Sequence, residues 1–351
     1  NLIMKNIFLI LILLLGKCVT AQNLDNVSNT GMLVYTKSET PDEFTGSPYV
    51  EKDFTEGRIL DVDKDKYQTA YLKYNAIEDV VEIKLSSKDG DLKDWNQTLD
   101  IFNKYKPKKV IHCAGRVGGL GGNMNYKGEF FYDNIMMNTN VIEAARQVGT
   151  KRLLCFLSTC VFPDDVEYPL SEEKVHLGEP HFSNYPYAYA KRMADIQIRA
   201  YKEQYGVEYF TVIPTNIYGP NDNFDIKNGH VLPSLIHKCY LAQQNNTDFV
   251  IWGSGEPTRE FVFSKDIGKF ADWAIDNYKE VEPIIVSSTD PIKIKDVVGL
   301  IVEYMNFKGN VVWDKDKPDG QYRKPSSIKK FRSYLPDFKF TSIEDGLKET
   351  I

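Results

Sequence analysis

The stretch "LLCFLSTCVFP", residues 153–163, carries an apolar run into three groups that can do chemistry, Ser158, Thr159 and Cys160. A buried strand usually gives way to Gly, Asn or Asp; this one delivers two hydroxyls and a thiol. Roughly thirty residues on, "NYPYAYAKRM" places Tyr187 and Lys191 at i and i+4, on one face of a helix. An ammonium beside a phenol favours the phenolate and lowers the Tyr pKa. Tyr187 could then exchange a proton with a substrate oxygen during hydride transfer. Each piece has a plainer reading by itself: Tyr-x-x-x-Lys as a solvated surface pair, Cys160 as a packing thiol at a strand end. Their order argues against the plain readings, because a strand ending in hydroxyls is followed by a long helix opening with the phenol and the ammonium.

These groups need elements to hold them, and the chain supplies a regular alternation from about residue 84. "KKVIHCAG" reads as a strand, 129–148 as a helix closed by Gly149, "KRLLCFLS" as a strand, 187–205 as a long helix and "YFTVIPTN" as a strand. Short apolar runs alternating with amphipathic helices predict an α/β fold with a parallel sheet and ligands at the carboxyl ends of its strands. Beyond residue 220, helices mix with short strands ("FVIWG", "PIIVS", "NVVWD"), which predicts a smaller α/β lobe over the sheet. Residues 22–83 are polar and punctuated by Gly and Pro, with strand-like "TAYLKYN" and "DVVEIKL" and no helical period; a β-rich or irregular segment is expected there.

The 351 residues suffice for one large or two ordinary domains. A net charge of −6 without a dense Lys/Arg stripe argues against a nucleic-acid surface. Five cysteines, Cys18, Cys113, Cys155, Cys160 and Cys239, show no metal-ligand spacing and no disulfide framework, so free thiols in a reducing compartment are expected, with no metal. Cys113 and Cys155 lie in apolar runs and read as core residues. The amino terminus points elsewhere. Met4-Lys5, an apolar run from Ile7 to Leu15 and small residues before Gln22 have the layout of a secretory signal peptide over 1–21, too short to span a bilayer.

Further segments make the chain resemble one family. "LSTCVFP", "YAYAKRM", "VIPTNIYGPNDNF", "NGHVLPSLIHK", "WGSGEPTREFVFSKDI" and "KPDGQYRK" occur in the order and spacing of the GDP-L-fucose synthases, of the extended short-chain dehydrogenase/reductase family. "HCAGRVGGLGGNMNY" is similar to that family's strand and loop after the cofactor site. The resemblance covers about residue 84 to the end, roughly three quarters of the chain. It implies a Rossmann-like sheet, NADPH as cofactor, a GDP-sugar as substrate, a homodimer and a cytoplasmic location. The implied reaction inverts C3 and C5 of GDP-4-keto-6-deoxy-D-mannose and then reduces C4. Both carbons are α to the ketone, so their protons are acidic if the enolate is stabilised. Cys160 matches the family's base, which needs a cationic or hydrogen-bonded site to become a thiolate, and His230 its acid. Ser158 and Tyr187 would hold the C4 oxygen, and Tyr187 would protonate it after hydride arrives. Lys191 would bind the nicotinamide ribose. Leu157, Ser158, Thr159, Pro214, Thr215, Asn216, Ile217 and His230 would line the cofactor. Lys238, Trp252, Arg259 and Asp319 match GDP-sugar contacts, as cations for the diphosphate, an indole for stacking and a carboxylate for a hydroxyl. The plainer readings are a helix-capping histidine for His230, a core indole for Trp252 and a surface ion pair for Arg259.

The chain departs from the family at its start. Members open with a strand and Gly-x-x-Gly-x-x-Gly leading into a helix that binds pyrophosphate, and residues 1–83 contain no such motif. The glycine run at 115–122 matches the later family loop, with no helix near enough for a phosphate role. The domain expected is therefore 84–351, an incomplete Rossmann-like sheet lacking its first βαβ unit, with the substrate lobe mainly in 220–351. Cofactor binding should suffer. Two strand edges should also lie unpaired where the missing central strand would run. A foreign leader in place of the true start of a cytoplasmic reductase is the expected cause. The alternatives are an exported scaffold protein or a relative acting on another nucleotide sugar.

Overall fold

The computed structural model describes residues 32–37, 55–61, 66–75, 80–85, 87–317, 319 and 322–351. The signal-like segment 1–21 lies outside them. No helix among the described residues is long and apolar enough to cross a membrane.

Four strands come first: β1 (Met32–Lys37), β2 (Thr55–Asp61), β3 (Lys66–Asn75) and β4 (Val80–Leu85). Helix α1 (Trp95–Tyr105) follows, started by Asp94, whose side chain accepts from Gln97 N–H at 3.0 Å. Strand β5 (Lys109–His112) leads through a short helix, α2 (Leu120–Asn125), into α3 (Lys127–Gln147). Gly149 closes α3 as expected, at φ +75°, a left-handed conformation that glycine adopts without strain. Strand β6 (Arg152–Phe156) is followed, after a long connection, by α4 (Tyr185–Tyr205) and β7 (Glu208–Pro214). Helix α4 starts two residues before the expected Tyr187, because Pro186 sits in its first turn, where no N–H is required.

Strands β5, β6 and β7 pair in parallel and are buried almost throughout, which is why they read as continuous apolar runs rather than as alternating ones. Helices α3 and α4 lie together, with Asn138 Nδ2 donating to Ala190 O at 3.4 Å, and Val141, Ile142, Ala145 and Ile198 join the core of the sheet.

The expected unpaired edge is absent at β5. Strand β1 runs antiparallel along it, Met32 opposite His112 and Val34 opposite Val110, and β4, β3 and β2 continue the sheet outward, all antiparallel. The described strands within 22–83 thus extend the main sheet instead of standing apart. A strand's unpaired amides and carbonyls demand partners, and antiparallel pairing meets that demand without a crossover helix.

The remaining elements divide between a second, smaller lobe and the large sheet. Strand β8 (Asn216–Tyr218), α5 (Val231–Asn245), β9 (Phe249–Trp252), β10 (Thr258–Phe263) and α6 (Ser264–Asn277) come first. Then come β11 (Ile284–Val286), β12 (Pro291–Lys293), α7 (Ile294–Tyr304), β13 (Val311–Asp314), α8 (Lys329–Tyr334) and α9 (Ile343–Thr350). The order β12-β10-β8 forms one small sheet, and β13 pairs with β9. Tyr218, Leu235, Phe249, Phe261, Val297 and Leu347 give this lobe its own apolar core. One expectation fails in detail: "PIIVS" belongs to the large sheet, where β11 lies parallel to β7 at the edge. Three buried apolar residues suit a parallel strand as well as a lobe strand, and pattern alone cannot separate the two.

Candidate active site

Strand β6 ends at Phe156. The next residue, Leu157, is buried and donates its N–H to Val212 O on β7 at 2.8 Å. The chain then winds into a single 3₁₀ turn over Thr159–Val161, with the Ser158 oxygen accepting from Cys160 N–H at 3.3 Å. Arg192 on α4 clamps this turn, donating from Nε to Val161 O at 2.6 Å. The tight turn answers why the strand ends in Ser-Thr-Cys: Ser158 and Cys160 both reach the start of α4. Ser158 acts on the Tyr187 phenol, favouring its ionised form, and Asn184 Nδ2 donates to Cys160 Sγ at 3.0 Å.

Tyr187 is only 7 % exposed, so its hydroxyl works out of bulk water. Its ring meets Phe130 of α3 edge to face, centroids 6.2 Å apart. Burial, and secondarily the neighbouring Cys160, raise the phenol pKa above its ordinary value, against the opposing influence of Ser158. This differs from the expected lowering by Lys191. The Lys191 Nζ lies 6.0 Å from the ring centroid and donates to Phe156 O at 2.9 Å. A buried ammonium needs an acceptor, and the last carbonyl of β6 supplies it. Burial pulls the Lys191 pKa down. Beneath it, His112 shares a 3.0 Å hydrogen bond with Asn138 and is driven down to about 3 by burial first and Lys191 second.

The glycine run is not free to cradle an anion. A helix does follow it, contrary to expectation, but α2 is only six residues long. Gly119 N–H donates to Asn228 O at 3.2 Å, and a Cβ on Gly119 would lie 2.9 Å from Gly229 O. Carbonyl oxygens therefore close the loop, where an anion would meet partial negative charge. The glycines serve close approach instead. They let the 118–119 backbone touch the loop that carries His230, and a Cβ on Gly118 would meet Phe130 at 3.1 Å. His230 follows Gly229 in that loop. It is exposed at the position preceding α5, makes no capping bond with its side chain, and sits beside Asp222. Among the described residues it makes no hydrogen bond to Cys160 or Tyr187. Burial raises the Asp222 carboxyl.

Leu157–Thr159 and Pro214–Ile217 leave the carboxyl ends of neighbouring parallel strands, where Phe156 is paired with Val212. Thr215 N–H donates to Val286 O at 3.0 Å and Asn216 Nδ2 to Glu260 O at 2.9 Å. The Thr215 hydroxyl is buried with no protein partner. An orphaned hydroxyl at this strand end fits a polar ligand group such as a carboxamide or a ribose hydroxyl.

The residues expected at the nucleotide lie in the lobe. Trp252 is 60 % exposed, which rules out the core reading. Lys238 Nζ lies 4.5 Å and Lys317 Nζ 5.8 Å from its ring centroid. Trp252 and Lys238, with Ile226, Leu241 and Val250, border a groove of about 280 Å³. Asp319 accepts from Ser254 N–H at 2.6 Å and from Ser254 Oγ at 2.7 Å, so it secures the turn after Trp252 rather than reaching into the groove. Arg259 donates to Thr258 O at 2.7 Å and is lowered by burial, with Asp319 opposing. Two residues escaped the sequence reading. Asn184 opens the quoted "NYPYAYAKRM", and Lys324 closes "KPDGQYRK". Lys324 is half-buried, and desolvation lowers its pKa, with Cys160 and Arg259 both acting on it, so it links the two ends of the site.

Residues 45–287 match the NAD dependent epimerase/dehydratase family, starting ahead of the expected boundary at 84. The chain is 48% identical over 282 residues to GDP-L-fucose synthase of Dictyostelium discoideum, covering 80% of this chain and 88% of that one. It is 40% identical to a probable GDP-L-fucose synthase of Drosophila melanogaster, covering 80% and 91%. Its structure resembles the crystal structure of a GDP-L-fucose synthetase from Naegleria fowleri bound to NADP, with a TM-score of 0.73 and 48% identity over 76% of this chain and 82% of that one.

Proposed function

The chain belongs to the NAD dependent epimerase/dehydratase family, and on that premise we propose that it converts GDP-4-keto-6-deoxy-D-mannose to GDP-L-fucose. The observation that carries the reading is the meeting of Ser158, Cys160 and Tyr187 at the end of β6. Ser158 and Tyr187 donate to the C4 oxygen, stabilising first the enolate and later the alkoxide. Cys160 removes a proton from a carbon α to the ketone, and His230 returns one to the opposite face. Tyr187, whose pKa burial holds up, remains protonated until the alkoxide forms and then donates. NADPH supplies the hydride. Lys191 and Thr215 would hold its ribose and carboxamide, with Leu157–Thr159 and Pro214–Ile217 around the ring. Lys238, Trp252 and Arg259 receive the GDP moiety, and Asp319 acts by fixing the turn after Trp252.

The nicotinamide half of the cofactor thus has fitting residues. The pyrophosphate half does not: residues 1–83 hold no Gly-x-x-Gly-x-x-Gly, and the later glycine run closes on carbonyls. We propose weak NADPH affinity for this chain. We also propose a homodimer, to which the exposed Phe131 and Tyr132 of α3 and Met193 and Ile196 of α4 offer apolar surface.

The test is incubation of the purified chain with the keto sugar in D₂O, with and without NADPH. Deuterium should enter C3 and C5 without cofactor, and NADPH oxidation at 340 nm should be slow and should saturate only at high concentration. Absence of deuterium at both carbons would sink the assignment.

A further inference from the structure

Asn184 stands immediately before α4, where an Asn side chain ordinarily accepts from the amides of the first turn. It makes no such bond. Its amide faces Cys160 instead, with Nδ2 3.0 Å from Sγ, while its Oδ1 is buried and has no partner. Two polar atoms thus forgo their usual partners at the point where the proposed base sits. We propose that Asn184 is a positioning residue that holds Cys160 as a hydrogen-bond acceptor and so favours its thiolate.

The chemistry follows from which atoms can donate. An amide N–H pointing at sulfur requires a sulfur lone pair, and a charged acceptor forms the stronger bond. When the thiolate takes the proton of the α carbon, the C–H bond breaks and an S–H bond forms. The electron pair moves into the enolate, whose oxygen Ser158 and Tyr187 hold. The S–H now needs an acceptor, and a turn of the same amide presents the free Oδ1. Asn184 can therefore serve both protonation states of the base without any backbone movement. The carboxylate of an Asp at this site could serve only the thiol, since it accepts and cannot donate. As a helix cap, by contrast, Asp equals Asn.

That contrast supplies the test. The rate of Cys160 alkylation by iodoacetamide at pH 7.5, read on its own peptide by mass spectrometry, reports thiolate content independently of turnover. Asn184→Ala should lower it about tenfold, because a hydrogen bond to a charged acceptor is lost, and Asn184→Asp further still, because its carboxylate also repels the thiolate. Deuterium entry into the keto sugar should fall in the same order, with GDP affinity unchanged. A capping role predicts the reverse order, with Asp indistinguishable from Asn. Alkylation of both variants within twofold of the parent would overturn the proposal. The inference rests on Cys160 as the base, yet the two fail separately: a parent chain that exchanges no deuterium refutes the function, whereas unchanged alkylation refutes only Asn184.

Discussion

The two ends of the site are built in opposite ways. Ser158, Tyr187 and Lys191 sit at the mouth of a buried parallel sheet, and Tyr187 and Lys191 are almost closed off from water. Lys238 and Trp252 stand on a lobe surface around an open groove, with Asp319 securing the turn beside them. The difference teaches where each kind of interaction is strong. Proton transfer gains from a dry setting in which every hydrogen bond and charge counts for more. A diphosphate already carries full charge, and a half-buried cation such as Lys238, whose pKa burial lowers, gains a partner when it meets one. If this contrast is right, changes at the buried end should alter rates, and changes at the open end should alter affinity.

Tyr187→Phe should break the buried end most severely. Reduction should fall about 10²–10⁴-fold, the usual contribution of a positioned acid, while GDP binding stays intact. Reduction that survives in single-turnover assays would remove Tyr187 from the chemistry. At the open end, Lys238→Met should raise the Kd for GDP roughly tenfold at low salt, and the gap should narrow as ionic strength rises. Calorimetry at two salt concentrations checks this, and an unchanged turnover number would sharpen the comparison.

Acid should distinguish the two ends next. His112 is charged in the unfolded chain below about 6.5 but neutral in the fold down to about 3. The unfolded state therefore binds the extra proton between those values, and stability falls as pH drops through that window, by up to about 1.4 kcal/mol per unit. His112→Gln should flatten this slope in urea titrations between pH 6 and 4. The smallest effect is expected from Asp319→Ala. Loss of the Ser254 bonds should raise KM about threefold through a looser Trp252 turn, at about 1 kcal/mol for a partly exposed pair of bonds. A larger drop in kcat than in affinity would give Asp319 a direct role instead.

Much of this was legible in advance where local pattern and chemistry agree. β5, β6, β7, α3 and α4 appear within a few residues of their expected bounds, because apolar runs and a closing glycine act over one or two turns. Ser158, Cys160 and Tyr187 were readable as a group because a strand end and the next helix start are neighbours in any parallel sheet. Three readings failed for a shared reason. The lowered Tyr187 pKa, the unpaired β5 edge and the lobe assignment of "PIIVS" all turn on which distant group arrives as partner.

By itself the sequence determined the alternation of elements, the placing of Ser158, Cys160, Tyr187 and Lys191 at one sheet edge, and the lack of a Gly-x-x-Gly-x-x-Gly turn in residues 1–83. Spacing alone sets those. Only the tertiary structure decided that Lys191 bonds a carbonyl of β6, that Asn184 bonds a sulfur instead of capping its helix, and that an antiparallel strand closes the edge of β5. Buried polar groups take whatever partner the fold brings within about 3 Å, and no local pattern records that choice.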